Sequence, residues 1–230
     1  MWFWFGFGGM VLGSMVIFSF NQRFSSKNKY HAQLALAVTV IAAVSYYGLA
    51  RGQAEVVVHG STVYFGRYID WLLTTPLLLL SLLLIALPHG KEIKITRSQF
   101  ALIANALFLD VLMIVTGFFA SVSQQMFDIV FWYGLSCFAL ILLVVLMNGE
   151  VRRHAYENSH KIGDTYTKLI TFLSIAWIFY PILWALGSNG YQYVSFTFEV
   201  AAYAILDVSA KAVFGILTLQ ALSREEERLN

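Results

Sequence analysis

Seven long apolar stretches dominate this chain and limit what it can fold into. Each is close to the ~20 residues with which a helix crosses ~30 Å of hydrocarbon, and lipid admits only helices or closed barrels. The sequence therefore predicts an all-α bundle of seven transmembrane helices, one domain over residues 1–230 of a multi-pass cell-membrane protein. The stretches are residues 3–20, 30–50, 66–87, 99–120, 127–148, 168–187 and 192–222.

The connections between these stretches are short and polar, and one of them is GEVRRHAYENSHKIGDTYTK, residues 149–168. The connection between the second and third stretches has β-branched residues on both sides of His59 and Gly60. This pattern predicts a small β-hairpin, with an unstructured loop as the alternative.

The basic residues predict how the chain is oriented in the membrane. Twelve of the fifteen Lys and Arg residues lie on the side shared by the first, third and fifth connections and the C-terminus. Because cytoplasmic loops carry an excess of basic residues, we expect the C-terminus in the cytoplasm and the N-terminus outside. The twelve are Arg23, Lys27, Lys29, Lys91, Lys94, Arg97, Arg152, Arg153, Lys161, Lys168, Arg224 and Arg228.

Several classes of chemistry find no support in the sequence. Cys137 is the only cysteine, which excludes a disulfide framework and a multi-cysteine metal site. The five His residues are scattered without ligand spacing, and no glycine-rich phosphate loop is present. We therefore expect no metal ion, nucleotide or nucleic acid as a partner.

Six ionisable residues within the apolar stretches need an explanation, because each charge costs at least ~2.5–3.5 kcal/mol at mid-helix unless it is paired or hydrated. They are Arg67, Asp70, Asp110, Glu199, Asp207 and Lys211. Snorkelling or a structural salt bridge is a reasonable alternative for Arg67 and Glu199, near the ends of their stretches. It is a poor one for Lys211, which lies too deep to reach water.

Helical periodicity brings several of these polar residues onto common faces. Asp207 and Lys211 are one turn apart, and Asp70, Thr74 and Ser81 fall on one stripe of the third helix. Arg67 lies one turn from Asp70. Two carboxylates and an arginine around a buried lysine would hold a cation, and the lysine amine could equally form a Schiff base with an aldehyde.

Aromatic residues in the third, fifth and sixth stretches suggest what the buried lysine could carry. Such rings could sandwich a flat polyene, although the alternative is an aromatic-rich membrane core that holds no ligand. They are Trp71, Trp132, Tyr133, Trp177, Tyr180 and Trp184, with Pro181 among them.

Three motifs resemble one known family closely. RYIDWLLTTPLLLL, WIFYPILW and LDVSAK are similar to the third-, sixth- and seventh-helix signatures of the microbial rhodopsins, and the resemblance extends over all seven stretches. It implies that Lys211 binds all-trans retinal covalently as a protonated Schiff base. It also implies that Asp70 is the primary proton acceptor, Asp207 the second counterion and Arg67 the gating arginine.

The resemblance assigns further residues to the site. Asp110 is expected beside the ring end of retinal, protonated and structural. Tyr47 falls where the family holds the second counterion, and Tyr46 where proteorhodopsins carry a histidine. The retinal pocket is expected to include Trp71, Thr74, Thr75, Leu78, Met113, Gly117, Ser136, Trp177, Tyr180, Pro181, Trp184 and Ala210.

Three third-helix positions sort the family by function, and here they are Asp70, Thr74 and Ser81. An aspartate at the first position favours proton movement over chloride pumping, and the set differs from the Asn-Asp-Gln of the sodium pumps. The second stretch, LALAVTVIAAVSYY, is too apolar for a channel. Ser81 replaces the carboxylic acid that returns a proton in efficient pumps, and its hydroxyl does not ionise near neutral pH.

The resemblance therefore implies a light-driven outward proton pump without a carboxylic cytoplasmic donor, rather than an enzyme. Glu199 matches one member of the outer release pair of haloarchaeal pumps, but Asn189 occupies the other, so proton release is expected late or shared with Arg67. The alternative is a sensory rhodopsin that signals to a transducer, although Ala210 replaces the threonine of haloarchaeal sensors. A seven-helix receptor for a diffusible ligand would need no Lys211. Expected partners are protons, the lipid bilayer and further copies of the chain.

Overall fold

The computed structural model describes residues 1–22, 29–58, 61–87 and 96–227. Within these ranges seven helices are long and apolar enough to cross a membrane, which confirms the predicted fold class. The seven spans, numbered in this order below, are Trp2–Phe20, Lys29–Ala50, Phe65–Ala86, Arg97–Val122, Met126–Asn158, His160–Leu186 and Phe196–Arg224. Outside the described residues lie the His59-Gly60 turn and the basic residues Arg23, Lys27, Lys91, Lys94 and Arg228.

Five of the spans are single α-helices, and two contain a π-helical turn. The single helices are Trp2–Asn21, Lys29–Ala50, Phe65–Ala86, Arg97–Val122 and His160–Leu186. The fifth span consists of α-helix Met126–Leu146, a π-helical turn at Met147–Val151 and α-helix Arg152–Asn158. The seventh consists of α-helix Phe196–Asp207, a π-helical turn at Val208–Val213 and α-helix Phe214–Glu227. Such turns often mark functional sites.

The predicted hairpin is present between the second and third spans. Strands Val56–Val58 and Ser61–Val63 pair antiparallel, with Val56 opposite Val63 and Val58 opposite Ser61. The Gly66 amide then donates to the Ala54 carbonyl oxygen at 3.0 Å, which ties the start of the third span to the hairpin.

The prediction of a polar connection over residues 149–168 was wrong. The fifth span continues as a helix to Asn158, and the sixth begins at His160, so only Ser159 separates them. Hydropathy marks the part of a helix that lies in lipid, and these two helices extend beyond it because Val151, Ala155 and Tyr166 are buried. Pairing of Arg153 with the carboxylates one turn before and after it stabilises the extension.

The chain divides into two compact units, Met1–Thr74 with Ile175–Asn230, and Thr75–Ser174. In the first unit, the first span packs closely on the second and seventh because small residues allow the backbones to approach. A Cβ atom on Gly13 would lie 2.5 Å from Cβ of Ala212, and one on Gly6 would lie 2.3 Å from the Tyr46 ring. This packing fixes the second and seventh spans around the buried lysine.

The second unit contains the fourth and fifth spans and parts of the third and sixth. A capping box begins the fourth span, because Thr96 and Gln99 each accept a hydrogen bond from the other's backbone amide. Ser136 of the fifth span donates to the Met113 carbonyl oxygen at 2.7 Å, which joins it to the fourth. Two predicted pocket residues are thereby held together.

Candidate functional site: a buried lysine between two carboxylates

Lys211 is buried at mid-span, with 1% of its surface exposed, in the π-helical turn of the seventh span. Its Nζ donates a hydrogen bond to Oδ2 of Asp70 on the third span. The same nitrogen lies 3.2 Å from Oδ1 of Asp207, one turn back along its own helix. Both carboxylates are also buried, so the structure brings Lys211 together with the two carboxylates that the sequence predicted around it, whereas the predicted arginine, Arg67, pairs with Glu199 instead.

The two carboxylates have very different surroundings. Asp207 accepts hydrogen bonds from Tyr46 Oη at 2.6 Å, Tyr180 Oη at 2.8 Å and Trp71 Nε1 at 3.1 Å. Asp70, by contrast, has Lys211 on Oδ2, and its buried Oδ1 has no hydrogen-bond partner within the part of the chain that the structure describes. The negative charge of Asp207 is therefore much better stabilised than that of Asp70.

The structure corrects the assignment of the second-span tyrosines. The residue that holds Asp207 is Tyr46, which is 2% exposed, whereas Tyr47 is 46% exposed and packs against Trp4 and Phe7. The expectation for Tyr47 was therefore wrong by one residue. Ser45, one residue before Tyr46, donates through its hydroxyl to the Gly66 carbonyl oxygen at 2.7 Å.

Arg67 and Glu199 form a second buried charge pair in the same unit. The guanidinium NH1 lies 3.6 Å from Oε1 of Glu199, and both side chains are almost fully buried. The other carboxylate oxygen of Glu199 accepts the Ser188 amide at 2.8 Å. A Cβ atom on Gly187 would lie 2.6 Å from the Glu199 carboxyl carbon, so the glycine leaves room for that carboxylate.

The aromatic residues of the first unit pack around the lysine's partners. The rings of Trp71 and Tyr180 meet edge to face at 5.3 Å, and both donate to Asp207. Trp184 is buried and donates through Nε1 to Tyr68 Oη at 3.1 Å, and Trp177 and Ala210 are also buried. Thr74 donates to the Asp70 carbonyl oxygen at 2.7 Å and so stays within its own helix.

Pro181 is half-buried within the sixth span, and the other predicted site residues lie in the second unit, where their role remains a prediction. Thr75 donates to the buried Asp110 carboxylate at 2.8 Å. Ser81 is buried. The remaining residues are Leu78, which is buried, and Met113, Gly117 and Ser136, which are half-buried.

Comparison with known proteins identifies the family. The model of the bacteriorhodopsin-like protein family matches residues 1–224. The chain belongs to this family. It is 32% identical to bacteriorhodopsin from Haloterrigena sp. (strain arg-4), over 97% of this chain and 88% of that protein. It is 31% identical to archaerhodopsin-2 from Halobacterium sp. (strain aus-2), over 94% of this chain and 83% of that one.

Solved structures agree with this membership. The thermophilic rhodopsin from Rubrobacter xylanophilus superposes with a TM-score of 0.90 at 32% identity, covering 96% of this chain and 94% of that one. The light-driven proton pump rhodopsin from Coccomyxa subellipsoidea superposes with a TM-score of 0.84 at 29% identity, covering 95% and 94%. The predicted membership in the microbial rhodopsins is therefore confirmed, and with it a multi-pass location in the cell membrane.

Bacteriorhodopsin-like proteins carry retinal on a lysine, and the residues of this chain fit that group. Lys211 is buried at mid-span, and a buried amine between two carboxylates is placed to keep an imine nitrogen protonated. Trp71 and Tyr180 supply aromatic surface next to Asp207, one of the two carboxylates beside it.

Sequence reasoning did not identify Tyr46 as a partner of Asp207 or Tyr68 as a partner of Trp184. It also missed the three rings around Arg67, which are Phe3, Tyr64 and Tyr203. The pattern that singles out Tyr46 in the second span is one of burial, which the packed structure supplies. Buried positions there recur at Thr39, Ala42, Ala43 and Tyr46, the spacing of one helical face, and that face excludes Tyr47. No such signal marks Phe3, because the first span is apolar on every side.

Proposed function

We propose that this protein is a light-driven outward proton pump with all-trans retinal bound to Lys211 as a protonated Schiff base. The observation that carries the proposal is the position of Lys211 between two carboxylates of unequal stabilisation. Retinal, when bound, supplies a light-driven isomerisation that changes the proton affinity of the lysine nitrogen. The residues around that nitrogen decide where its proton goes.

Asp70 is the proton acceptor in this proposal. A proton on Asp207 would disturb a carboxylate that already accepts from two tyrosines and a tryptophan. A proton on Asp70 can bind to Oδ1, which accepts no hydrogen bond from any described residue, so protonation there breaks fewer hydrogen bonds. Asp207 accordingly stays ionised as the second counterion.

The charge balance of the first unit supports proton transfer within it. With all carboxylates ionised and both cations charged, Asp70, Asp207 and Glu199 outnumber Arg67 and Lys211 by one negative charge. Transfer of a proton from Lys211 to Asp70 leaves this net charge unchanged, but it converts one buried ion pair into two neutral groups and so lowers the number of charges held away from water.

Release and uptake follow from the orientation that the basic residues predict. With the N-terminus outside, the Arg67 and Glu199 region faces the exterior and is the exit for the proton. Glu199 is ion-paired in the structure and lacks a second carboxylate at Asn189, which supports late release. Uptake comes from the cytoplasm without a carboxylic donor, because Ser81 occupies that position.

The proposal is tested by supplying retinal to expressing cells and recording external pH under illumination. We expect a light-induced fall in pH that a protonophore abolishes, no response from Asp70→Asn, and no pigment from Lys211→Ala. A coloured, light-responsive protein that leaves external pH unchanged would contradict pumping and favour the sensory alternative, for which Ser81 is the supporting observation.

A further inference from the structure

The Arg67 guanidinium lies among three aromatic rings as well as against Glu199. Its Cζ atom is 4.5 Å from the ring centroid of Tyr203, 5.1 Å from that of Tyr64 and 5.7 Å from that of Phe3. All three distances are within the ~6 Å over which a ring quadrupole attracts a cation. We call Phe3, Tyr64 and Tyr203 the aromatic cage.

The cage is built from separate parts of the first unit. Phe3 belongs to the first span, Tyr64 precedes the third and Tyr203 belongs to the seventh. The rings also support one another, since the Phe3 and Tyr64 centroids are 5.5 Å apart and Tyr64 stacks on Phe196 at 5.6 Å. Tyr203 donates to the Tyr180 carbonyl oxygen at 3.4 Å, which fixes its ring.

The cage remains electrically neutral over the working range of pH. Burial raises the pKa of the Tyr64 hydroxyl above its ordinary value of 10.0, with Glu55 adding to the rise and Arg67 opposing it. Tyr64 therefore acts on Arg67 through its ring face and not as a phenolate. Because the guanidinium is 5% exposed, water competes little with this attraction.

The position of Arg67 is informative because the Asp70 carboxylate lies one helical turn along the same span, with Asp207 as the second carboxylate beside Lys211. The ion pair of Arg67 is with Glu199 at 3.6 Å, whereas the ion pairs of Asp70 and Asp207 are with Lys211. Nε and NH2 of Arg67 are buried and have no hydrogen-bond partner among the described residues. The guanidinium therefore occupies the side away from Lys211 although two negative charges lie on the other side.

We propose that the aromatic cage and Glu199 together hold Arg67 away from the counterions in the resting state, so that Phe3, Tyr64 and Tyr203 are positioning residues for the acceptor Asp70. The consequence is that proton transfer to Asp70 requires no movement of the Arg67 side chain toward the exterior, because the guanidinium already lies beside Glu199. Loosening the cage frees the guanidinium to approach Asp70, and its positive charge then keeps that carboxylate ionised to lower pH. The role of these residues toward Asp70, and the spectral readout, rest on the proposed function, whereas their hold on Arg67 does not.

The first test measures the pH midpoint of the acid-induced red shift of the visible band. Phe3→Leu and Tyr64→Leu keep an apolar side chain but remove the ring quadrupole, and each should lower the midpoint by about half a pH unit or more. Phe5→Leu is the matched control, because Phe5 is a half-exposed ring of the same span that packs on Trp2. It should leave the midpoint unchanged.

The cage is distinguished from general packing by repeating both substitutions in an Arg67→Gln background. The midpoint shift should vanish there, because no guanidinium remains to be released. An unchanged midpoint in the single variants, or the same shift with and without Arg67, overturns the proposal.

A second readout does not depend on pigment or pumping. In the retinal-free protein, Phe3→Leu and Arg67→Gln should lower the melting temperature by less together than the sum of their separate effects, whereas Phe5→Leu and Arg67→Gln should add. Additive effects for the first pair refute the cage even if retinal never binds. Coupling in a protein that proves colourless would instead refute the proposed function and retain the cage.

Discussion

Tyr46→Phe tests the hydrogen bond that most clearly separates the two counterions. The substitution removes one oxygen and keeps the buried ring, so Asp207 loses its 2.6 Å donor without a cavity being formed. Hydrogen bonds to charged groups contribute about 1.5–3 kcal/mol. At about 2–4 °C per kcal/mol for a chain of this size, the melting temperature should fall by about 3–12 °C.

Tyr47→Phe is the matched control, since it makes the same chemical change one residue along. Tyr47 is 46% exposed, and its ring contacts the rings of Trp4 and Phe7. Exposed substitutions of this kind stay within about 0.5 kcal/mol, which is at most about 2 °C here.

The assay is thermal loss of the visible band for both retinal-loaded variants in the same detergent. Tyr46→Phe should also shift the band to shorter wavelength, because the negative charge of Asp207 becomes less shared with its donors and a stronger counterion favours the ground state. Equal melting temperatures for the two variants, or a larger loss in Tyr47→Phe, would refute the assignment of Tyr46.

Three further predictions concern the proton path. Lys211→Ala should give a folded but colourless protein, and Lys211→Arg, which keeps the positive charge between the carboxylates, should be equally colourless; covalent retinal in either refutes the lysine assignment. Asp70→Asn should show at neutral pH the red-shifted band that acid produces in the unmodified protein, and continued light-driven acidification by it would exclude Asp70 as acceptor. After illumination, the return of a proton to the Lys211 nitrogen should slow as the pH rises from 5 to 9, and both Ser81→Asp and added azide should speed it. A fast, pH-independent return in flash photolysis would reveal an internal proton donor.

Much of the fold and the site follows from the sequence alone. Seven apolar stretches of sufficient length predict seven spans, because lipid cannot satisfy exposed backbone groups. A mid-span lysine with an aspartate one turn before it requires buried partners, since an unpaired charge there is too costly. These inferences need only length, hydropathy and helical spacing, and all three are local properties of the chain.

Helix ends and side-chain partners depended on tertiary structure. Hydropathy ended the fifth span at residue 148, but burial of Ala155 and Tyr166 continues the helices beyond the lipid. Sequence resemblance could not separate Tyr46 from Tyr47, because adjacent residues differ by ~100° around a helix and only packing against the first and seventh spans decides which one faces Asp207.

The unequal counterions and the aromatic cage were decided in the same way. Asp70 and Asp207 are the same residue type, and nothing in their local sequence assigns three neutral donors to one of them. Tyr64 lies only three residues before Arg67, but Phe3 and Tyr203 are far from Arg67 along the chain and meet it only when the first, third and seventh spans pack. Hydrogen bonds and cation–π contacts act over a few ångströms, so their pattern is a property of the packed structure, whereas the cost of a charge in lipid is already fixed by the sequence.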